Sequence, residues 1–388
     1  MRRAAWVTAI AVGAIGALGA LAWTGLSVLV ARTVVTPVRR YPDDVAILAI
    51  DETTVTLSAD AETSVPGRYG FWFTQRTGYA RLGDVVRRGA GSVTRQIEEV
   101  VHGDLRAASA GRWTGWYYLT PADLGFPHHD VEIPTELGPQ AAWHIPPEPH
   151  AEGAPTASGD WAVLVHGRGV TRSECLRAVP TLRAAGLHCL VVSYRNDPDA
   201  PASLDGRYSL GQQEWQDVEA ALHWATEQGA ERFVLCGWSM GGATVLQTLH
   251  LSALRDRIRG LVLDSAVVDW RAVLEEQGRL LRVPGGVRET AIVMLGGRWS
   301  VPVAGLAEPL DLRRLDWVRR SDELDRPMLI LHSRADRVVP IAPSARLAEL
   351  RPELVTLVPF EEAQHTRLWN YDPARWTDAV RIWLSELP

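Results

Sequence analysis

Three hydrophobic patterns follow one another along the chain. The first is a run without charge, Ala4 to Ala31, 28 residues preceded by Arg2 and Arg3. About 20 apolar residues in a helix cross a bilayer, so this run predicts a membrane span with length to spare for tilt. Trp6 stands near one end, where an interface anchor belongs. A cleaved signal peptide is the rival reading, with Ala20-Leu21-Ala22 as a small-x-small site. Nine further residues without charge follow Ala22, which favours an uncleaved anchor over residues 1–32. Arg2 and Arg3 favour an inside N-terminus, although Arg32, Arg39 and Arg40 follow the span. The resulting expectation is a single-pass protein of the cell membrane with the rest of the chain outside the cytoplasm.

The second pattern is short-range alternation between residues 41 and 120. Val45 to Ile50, Thr53 to Leu57, Tyr69 to Phe73 and Trp113 to Leu119 are short stretches separated by Pro, Gly and Asp turns, and read as strands. Val85 to Val101 fits a helix or a strand pair around Gly89 to Gly91. A small β-rich module over residues 33–125 results. Two further strands are expected at Val131 to Ile133 and Ala141 to Ile145, followed by a Pro, Gly and Ala-rich connection from Pro146 to Ser158.

The third pattern begins at Trp161. Apolar runs at Trp161 to Val165, Leu187 to Ser193, Phe233 to Cys236, Gly260 to Leu263, Pro327 to Leu331 and Leu354 to Val358 alternate with amphipathic stretches. In Glu214 to Glu227, residues Trp215, Val218, Ala221, Leu222 and Ala225 recur on one helical face. Fully apolar strands separated by helices predict a parallel sheet covered on both sides. Ligands then bind at the carboxyl ends of the strands. About 60 residues separate the runs at 260 and 327, too many for a plain connection. Helices at Arg271 to Leu281, Val287 to Leu295 and Asp311 to Glu323 would make a cap over about 270–324. Leu280, Val283, Val293, Met294, Leu295 and Trp299 are its candidate pocket residues.

Composition narrows the function classes. The net charge is −6, from 40 basic and 46 acidic residues, which disfavours a nucleic-acid partner. The chain has no Lys, so lysine-base and Schiff-base chemistry are excluded. Three cysteines, Cys175, Cys189 and Cys236, are too few for a disulfide framework and form no C-x-x-C pair. His128-His129-Asp130 is a weak metal candidate, because adjacent strand residues point to opposite faces.

One stretch carries chemistry. Phe233 to Cys236 is a strand, Gly237-Trp238-Ser239-Met240-Gly241 fits G-x-S-x-G, and a helix follows from about Gly242 to Leu254. A nucleophile on such a tight strand-to-helix turn needs small residues two before and two after it. The helix N-terminus favours negative charge developing at Ser239.

With these motifs the region from His128 to Pro388 resembles the α/β-hydrolase superfamily of esterases, lipases and serine peptidases. The nearest likeness is to membrane-anchored hydrolases of actinobacteria. The expected fold is therefore α/β, with the catalytic domain over 126–388. The resemblance implies the order Ser, acid, His. Asp336, in Leu331-His-Ser-Arg-Ala-Asp-Arg-Val-Val-Pro340, stands at the family's acid position. His365, after the last strand, stands at its base position. Asp264 is the alternative acid, and His332 is expected to support the site from within the strand. His166-Gly167-Arg168-Gly169 resembles the family's oxyanion loop, implying the amides of Arg168 and Met240 as donors, with His166 bracing the loop. Arg195 and Arg207 either shape the substrate entrance or, as preferred, pin a long loop, and Asp217 has a structural place.

The implied function is a cofactor-free serine hydrolase acting on a small-molecule or lipid-like carboxylic ester. A serine peptidase is the first alternative, with Arg168, Glu174 and Arg195 available to hold a peptide end. An acyltransferase shares the same chemistry, and a non-catalytic binding scaffold is the remaining reading.

Overall fold

The computed structural model describes residues 21–148 and 159–387. Most of the expected membrane span, residues 4–20, lies outside the described residues. Among the described residues no helix is long and apolar enough to cross a membrane.

The alternating region closes into a six-stranded barrel. Its strands are β1 (Val45–Ile50), β2 (Thr54–Ser58), β3 (Tyr69–Phe73), β4 (Gly78–Gly89), β5 (Ser92–His102) and β6 (Ala110–Thr114), in the order β1-β2-β5-β4-β3-β6. Period-2 patterning explains the closure: Val55 and Leu57 of β2 are buried while the residues between them are partly exposed. Residues 85–101 belong to the β4–β5 hairpin rather than to a helix. It turns at Ala90 and Gly91, the latter at φ 72°, a conformation that costs Gly little. The strand expected at Trp113 to Leu119 ends at Thr114, and Pro121–Leu124 form a 3-10 turn.

Arg95 ties the barrel together from inside. Its guanidinium donates to the carbonyls of Gly83 and Thr63 at 2.9 Å each, Val65 at 2.9 Å and Gly67 at 2.6 Å. It lies 5.1 Å and 4.9 Å from the ring centroids of Tyr69 and Trp113. Burial lowers its pKa to about 10, which leaves it charged at neutral pH.

The remaining strands are β7 (His129–Thr135), β8 (Gly138–Ile145), β9 (Asp160–Val165), β10 (His188–Val192), β11 (Arg232–Trp238), β12 (Ile258–Asp264), β13 (Met328–Ser333) and β14 (Val355–Phe360). They form one sheet in the order β14-β13-β12-β11-β9-β10-β8-β7, parallel from β14 to β10 and antiparallel beyond. Both faces are buried, as the continuous apolar runs require. In β9, Trp161, Val163 and Val165 join one core, and Ala162 and Leu164 join the other. The covering helices are α2 (Val179–Ala184), α3 (Trp215–Glu227), α4 (Met240–Leu251), α7 (Ala342–Leu350), α8 (Leu368–Tyr371) and α9 (Pro373–Glu386), with α5 (Trp270–Leu280) and α6 (Gly285–Gly296) in the cap.

Two expectations are corrected. The third cap helix, Asp311 to Glu323, is a series of turns ending in a short 3-10 segment, Ser321–Glu323. Asp311 accepts the amides of Arg313 and Arg314, and Asp316 accepts that of Arg319 at 2.9 Å, so side chains satisfy the backbone locally in place of a helix. The described end of the charge-free run is also not a separate anchor. Residues 21–35 form a helix, α1, that packs on the hydrolase core. Ser27, Ala31 and Val35, spaced by four on one face, are fully buried, and Ala31 and Val35 share a core with Val163 and Leu263. A division at residue 32 would cut through this helix.

Replacing Arg95 by Met leaves four carbonyls without their donor in a closed interior. Arg95→Met is expected to destabilise the protein by about 3 kcal/mol or more, read as a lower unfolding midpoint in urea.

Candidate active site

The turn between β11 and α4 sets the geometry. Ser239 has φ 50° and ψ −116°, a backbone conformation costing on the order of 1–3 kcal/mol for a residue with a side chain. Surrounding bonds hold it there. Its N–H donates to the Asp264 carbonyl at 3.1 Å, and its carbonyl accepts from Gly242 and Val267, each at 3.0 Å. The glycines are required by contact. A Cβ at Gly241 would lie 2.1 Å from the Val165 carbonyl oxygen, one at Gly237 2.6 Å from that of Gly241, and one at Gly242 2.3 Å from the Ala266 Cβ.

Three of the expected residues meet here. His365 Nε2 lies 2.9 Å from Ser239 Oγ, and His365 Nδ1 lies 2.7 Å from Asp336 Oδ2. Asp336 follows β13, and its other oxygen accepts the amides of Val338 at 2.8 Å and Val339 at 2.9 Å. Burial opposes its charge, but His365 and His332 hold the carboxyl below the usual carboxylate range. Burial likewise opposes a proton on His365, yet Asp336 raises its pKa above the ordinary histidine value.

The alternative acid is committed elsewhere. Asp264 accepts the Trp376 indole N–H at 2.8 Å and the Ser265 hydroxyl at 3.1 Å. His332 is fully buried between Ser344 Oγ at 2.9 Å and the Val339 carbonyl at 3.0 Å, 3.6 Å from Asp336. It stands beside Asp336 rather than Ser239.

The loop after β9 lies against Ser239. A Cβ at Gly167 would come 3.1 Å from the Ser239 Cβ. Among the described residues, the N–H groups of Arg168 and Met240 donate to no other group. His166 bridges Asp197 and the Gly167 carbonyl, both at 2.8 Å, and so braces the loop. Glu174 was expected as a possible peptide-end contact. It is instead buried between two catalytic-face loops, accepting from the Gly167 amide at 2.8 Å and the Thr366 hydroxyl at 2.9 Å. Arg195 is paired with buried Asp217 at 2.8 Å, and Arg207 bonds Thr36. Both are structural.

Ser239 and His365 open onto a cavity of about 510 Å³. The cap lines it with Trp270, Leu274, Leu281, Val283, Ile292 and Leu295 among others. Leu280, Val293, Met294 and Trp299, expected there, do not line it. One wall was missed altogether: Leu26, Leu29, Val30, Thr33 and Val34 of α1. The small residues Ser27 and Ala31 at helical spacing are the one signal that this helix packs closely against something.

A Ser–His–Asp hydrogen-bonded line on a strand-to-helix turn, at the carboxyl edge of a largely parallel sheet, belongs to the class of α/β hydrolases. The profile of the alpha/beta hydrolase family matches residues 162–379, more than half of the chain, which belongs to this family. Residues 46–114, the barrel, match a domain of unknown function. No curated protein matches the chain. Among solved structures, an esterase of Pyrococcus furiosus is 19% identical with a TM-score of 0.51, over 70% of this chain and 95% of its own. A puromycin-hydrolysing peptidase of Mycobacterium tuberculosis is 18% identical with a TM-score of 0.50, over 87% of this chain and 47% of its own. These likenesses are of fold.

Gly241→Ala drives a methyl group into the β9 backbone. It is expected to cost about 3 kcal/mol and to displace Ser239, read together as a lower melting temperature and loss of reaction with a fluorophosphonate.

Proposed function

We propose that the protein is a serine hydrolase that cleaves carboxylic esters through an acyl-enzyme. The observation that carries this reading is the Ser239–His365–Asp336 line at the base of an apolar cavity. Ser239 Oγ attacks the ester carbonyl carbon while its proton passes to His365 Nε2. Asp336 fixes the ring with Nδ1–H towards itself and stabilises the imidazolium. The amides of Arg168 and Met240 receive the oxyanion, each such donor contributing roughly 3 kcal/mol to the transition state. Collapse expels the alcohol, which takes the proton from His365. Water, deprotonated by the same ring, then releases the acid and restores Ser239.

The three charged residues available to hold a peptide end support an ester over a peptide. Glu174 and Arg195 are used in internal bonds, and the Arg168 side chain is bound to α1. A peptide terminus would need a charged partner that these residues do not offer. Membrane tethering, with the catalytic part outside the cytoplasm, rests on the charge-free sequence of residues 4–20. Because α1 is packed in the fold, the full chain is the protein to test.

A fluorophosphonate is expected to label the wild type and not Ser239→Ala. Short acyl esters are expected to turn over faster than aminoacyl amides. The reverse preference would favour the peptidase, and a folded wild type with neither labelling nor turnover would sink the hydrolase reading.

His365 must be neutral to accept the serine proton, and Asp336 raises its pKa. Activity is therefore expected to fall with acidification through a midpoint above the ordinary histidine value of about 6.5. Asp336→Asn removes the raising charge, so the midpoint should move to lower pH while kcat at pH 8 falls by about 10⁴-fold. A pH–rate profile of both proteins checks the sign.

A further inference from the structure

The matched hydrolase family begins at residue 162, yet the cavity over Ser239 is closed on one side by a helix from the other end of the chain. α1 contributes Leu26, Leu29, Val30, Thr33 and Val34 to the lining. Its described residues are fixed to the hydrolase part at two places. The Trp23 indole donates to Thr290 Oγ1 at 3.2 Å and lies where a side chain on Gly286 of α6 would be, a Cβ there falling 2.4 Å from the ring. At its end Arg32 donates to the Val303 carbonyl at 2.6 Å, and the Tyr208 amide donates to the Val35 carbonyl at 2.8 Å.

The last contact reaches the chemistry. The Arg168 guanidinium donates to the carbonyls of Thr33 at 2.6 Å and Thr36 at 2.9 Å, at the C-terminus of α1, where helix carbonyls lack partners. The same residue follows Gly167, whose added Cβ would lie 3.1 Å from the Ser239 Cβ. The neighbouring Gly169 carbonyl accepts the Tyr41 hydroxyl. The segment from Thr33 to Tyr41 therefore holds the loop after β9 from outside, and α1 and that loop are one packed unit.

The chemistry of the wall identifies what lies against it. All five α1 residues lining the cavity present carbon or a methyl-bearing hydroxyl. Across the cavity stand Leu274, Leu281, Ile292 and Leu295. At the mouth the apolar groups are open to solvent: Leu26 is 40% exposed, Leu29 61% and Leu281 74%. Large exposed apolar side chains rimming a cavity mark a surface that an apolar ligand covers. We propose that α1 is the wall that holds an extended hydrocarbon chain of the substrate, so that residues outside the hydrolase family's matched span set chain-length preference, and the substrates are esters carrying such a chain. The proposal rests on the ester-hydrolase reading above.

Leu26 and Leu29 point into the mouth and contribute little to the core, so the full-length variants Leu26→Trp and Leu29→Trp narrow the cavity without opening a void. The kcat/KM of each is compared with wild type on two series: p-nitrophenyl esters from acetate to laurate, which vary the acyl chain, and acetates of alcohols from ethanol to dodecanol, which vary the leaving group. The long-to-short ratio within a series cancels any loss common to all substrates. It is expected to fall about tenfold or more in one of the two series, and that series shows which side of the ester α1 holds. An unchanged ratio in both series for both variants, with an active wild type, overturns the role of α1 and leaves the hydrolase reading standing. A wild type that neither hydrolyses any member nor reacts with a fluorophosphonate overturns both.

Discussion

The fold is organised around one strained residue. Ser239 sits at positive φ because β11 must end and α4 begin within a single turn, with the side chain left at the sheet's carboxyl edge. No residue at 241 larger than glycine clears the Val165 carbonyl. Such strain persists only when the surroundings over-determine it. Here the neighbouring strands do so: β12 supplies the Asp264 carbonyl to the Ser239 amide, and β9 supplies the surface on which Gly241 lies. A parallel sheet with both faces buried is rigid enough to carry this load, which links the apolar runs to the chemistry.

From that fixed point the other groups are placed by strand ends. Asp336 follows β13, His365 follows β14 and the 166–169 loop follows β9. Glu174 joins two of these arms, since it bonds both Gly167 and Thr366, the residue after His365. The barrel reaches the same arm from outside. Asn370, five residues past His365, donates to the carbonyls of Arg68 and Gly115 at 2.7 and 3.0 Å and shares Arg177 as a donor to its own oxygen. Gly67 passes so close to the Asn370 carbonyl, 2.1 Å for an added Cβ, that only glycine allows the contact. The barrel thus buttresses the loop that carries His365, although among the described residues no barrel residue is hydrogen-bonded to Ser239, His365 or Asp336.

What could be read in the sequence follows from how local each cause is. The elbow is encoded within Gly237 to Gly242, and a continuous apolar run marks each strand from Trp161 onward, so their placement needed no distant partner. Val85 to Val101 stayed ambiguous because a 12-residue strand with irregular register, Gly78–Gly89, does not keep a clean alternation. The helix expected at Asp311 failed because Asp311 and Asp316 satisfy nearby amides and compete with the helical ladder. Glu174 was read as a free charge because a buried carboxylate bridging two loops leaves no pattern in either loop.

The described end of the charge-free run is the instructive case. A run apolar on every side has no polar face to orient it, so lipid and protein interior predict the same sequence. The distinguishing feature is size: Ser27, Ala31 and Val35 recur every four residues and let α1 approach the sheet-covering layer closely. The side of α1 that lines the cavity keeps Leu26, Leu29 and Val30, larger apolar groups. A helix that served only to cross a bilayer would need neither this division of sizes nor Arg168 at its C-terminus. The two features have one physical consequence: whatever moves α1 also moves the loop after β9 that lies against Ser239, because Arg168 of that loop bonds the carbonyls of Thr33 and Thr36.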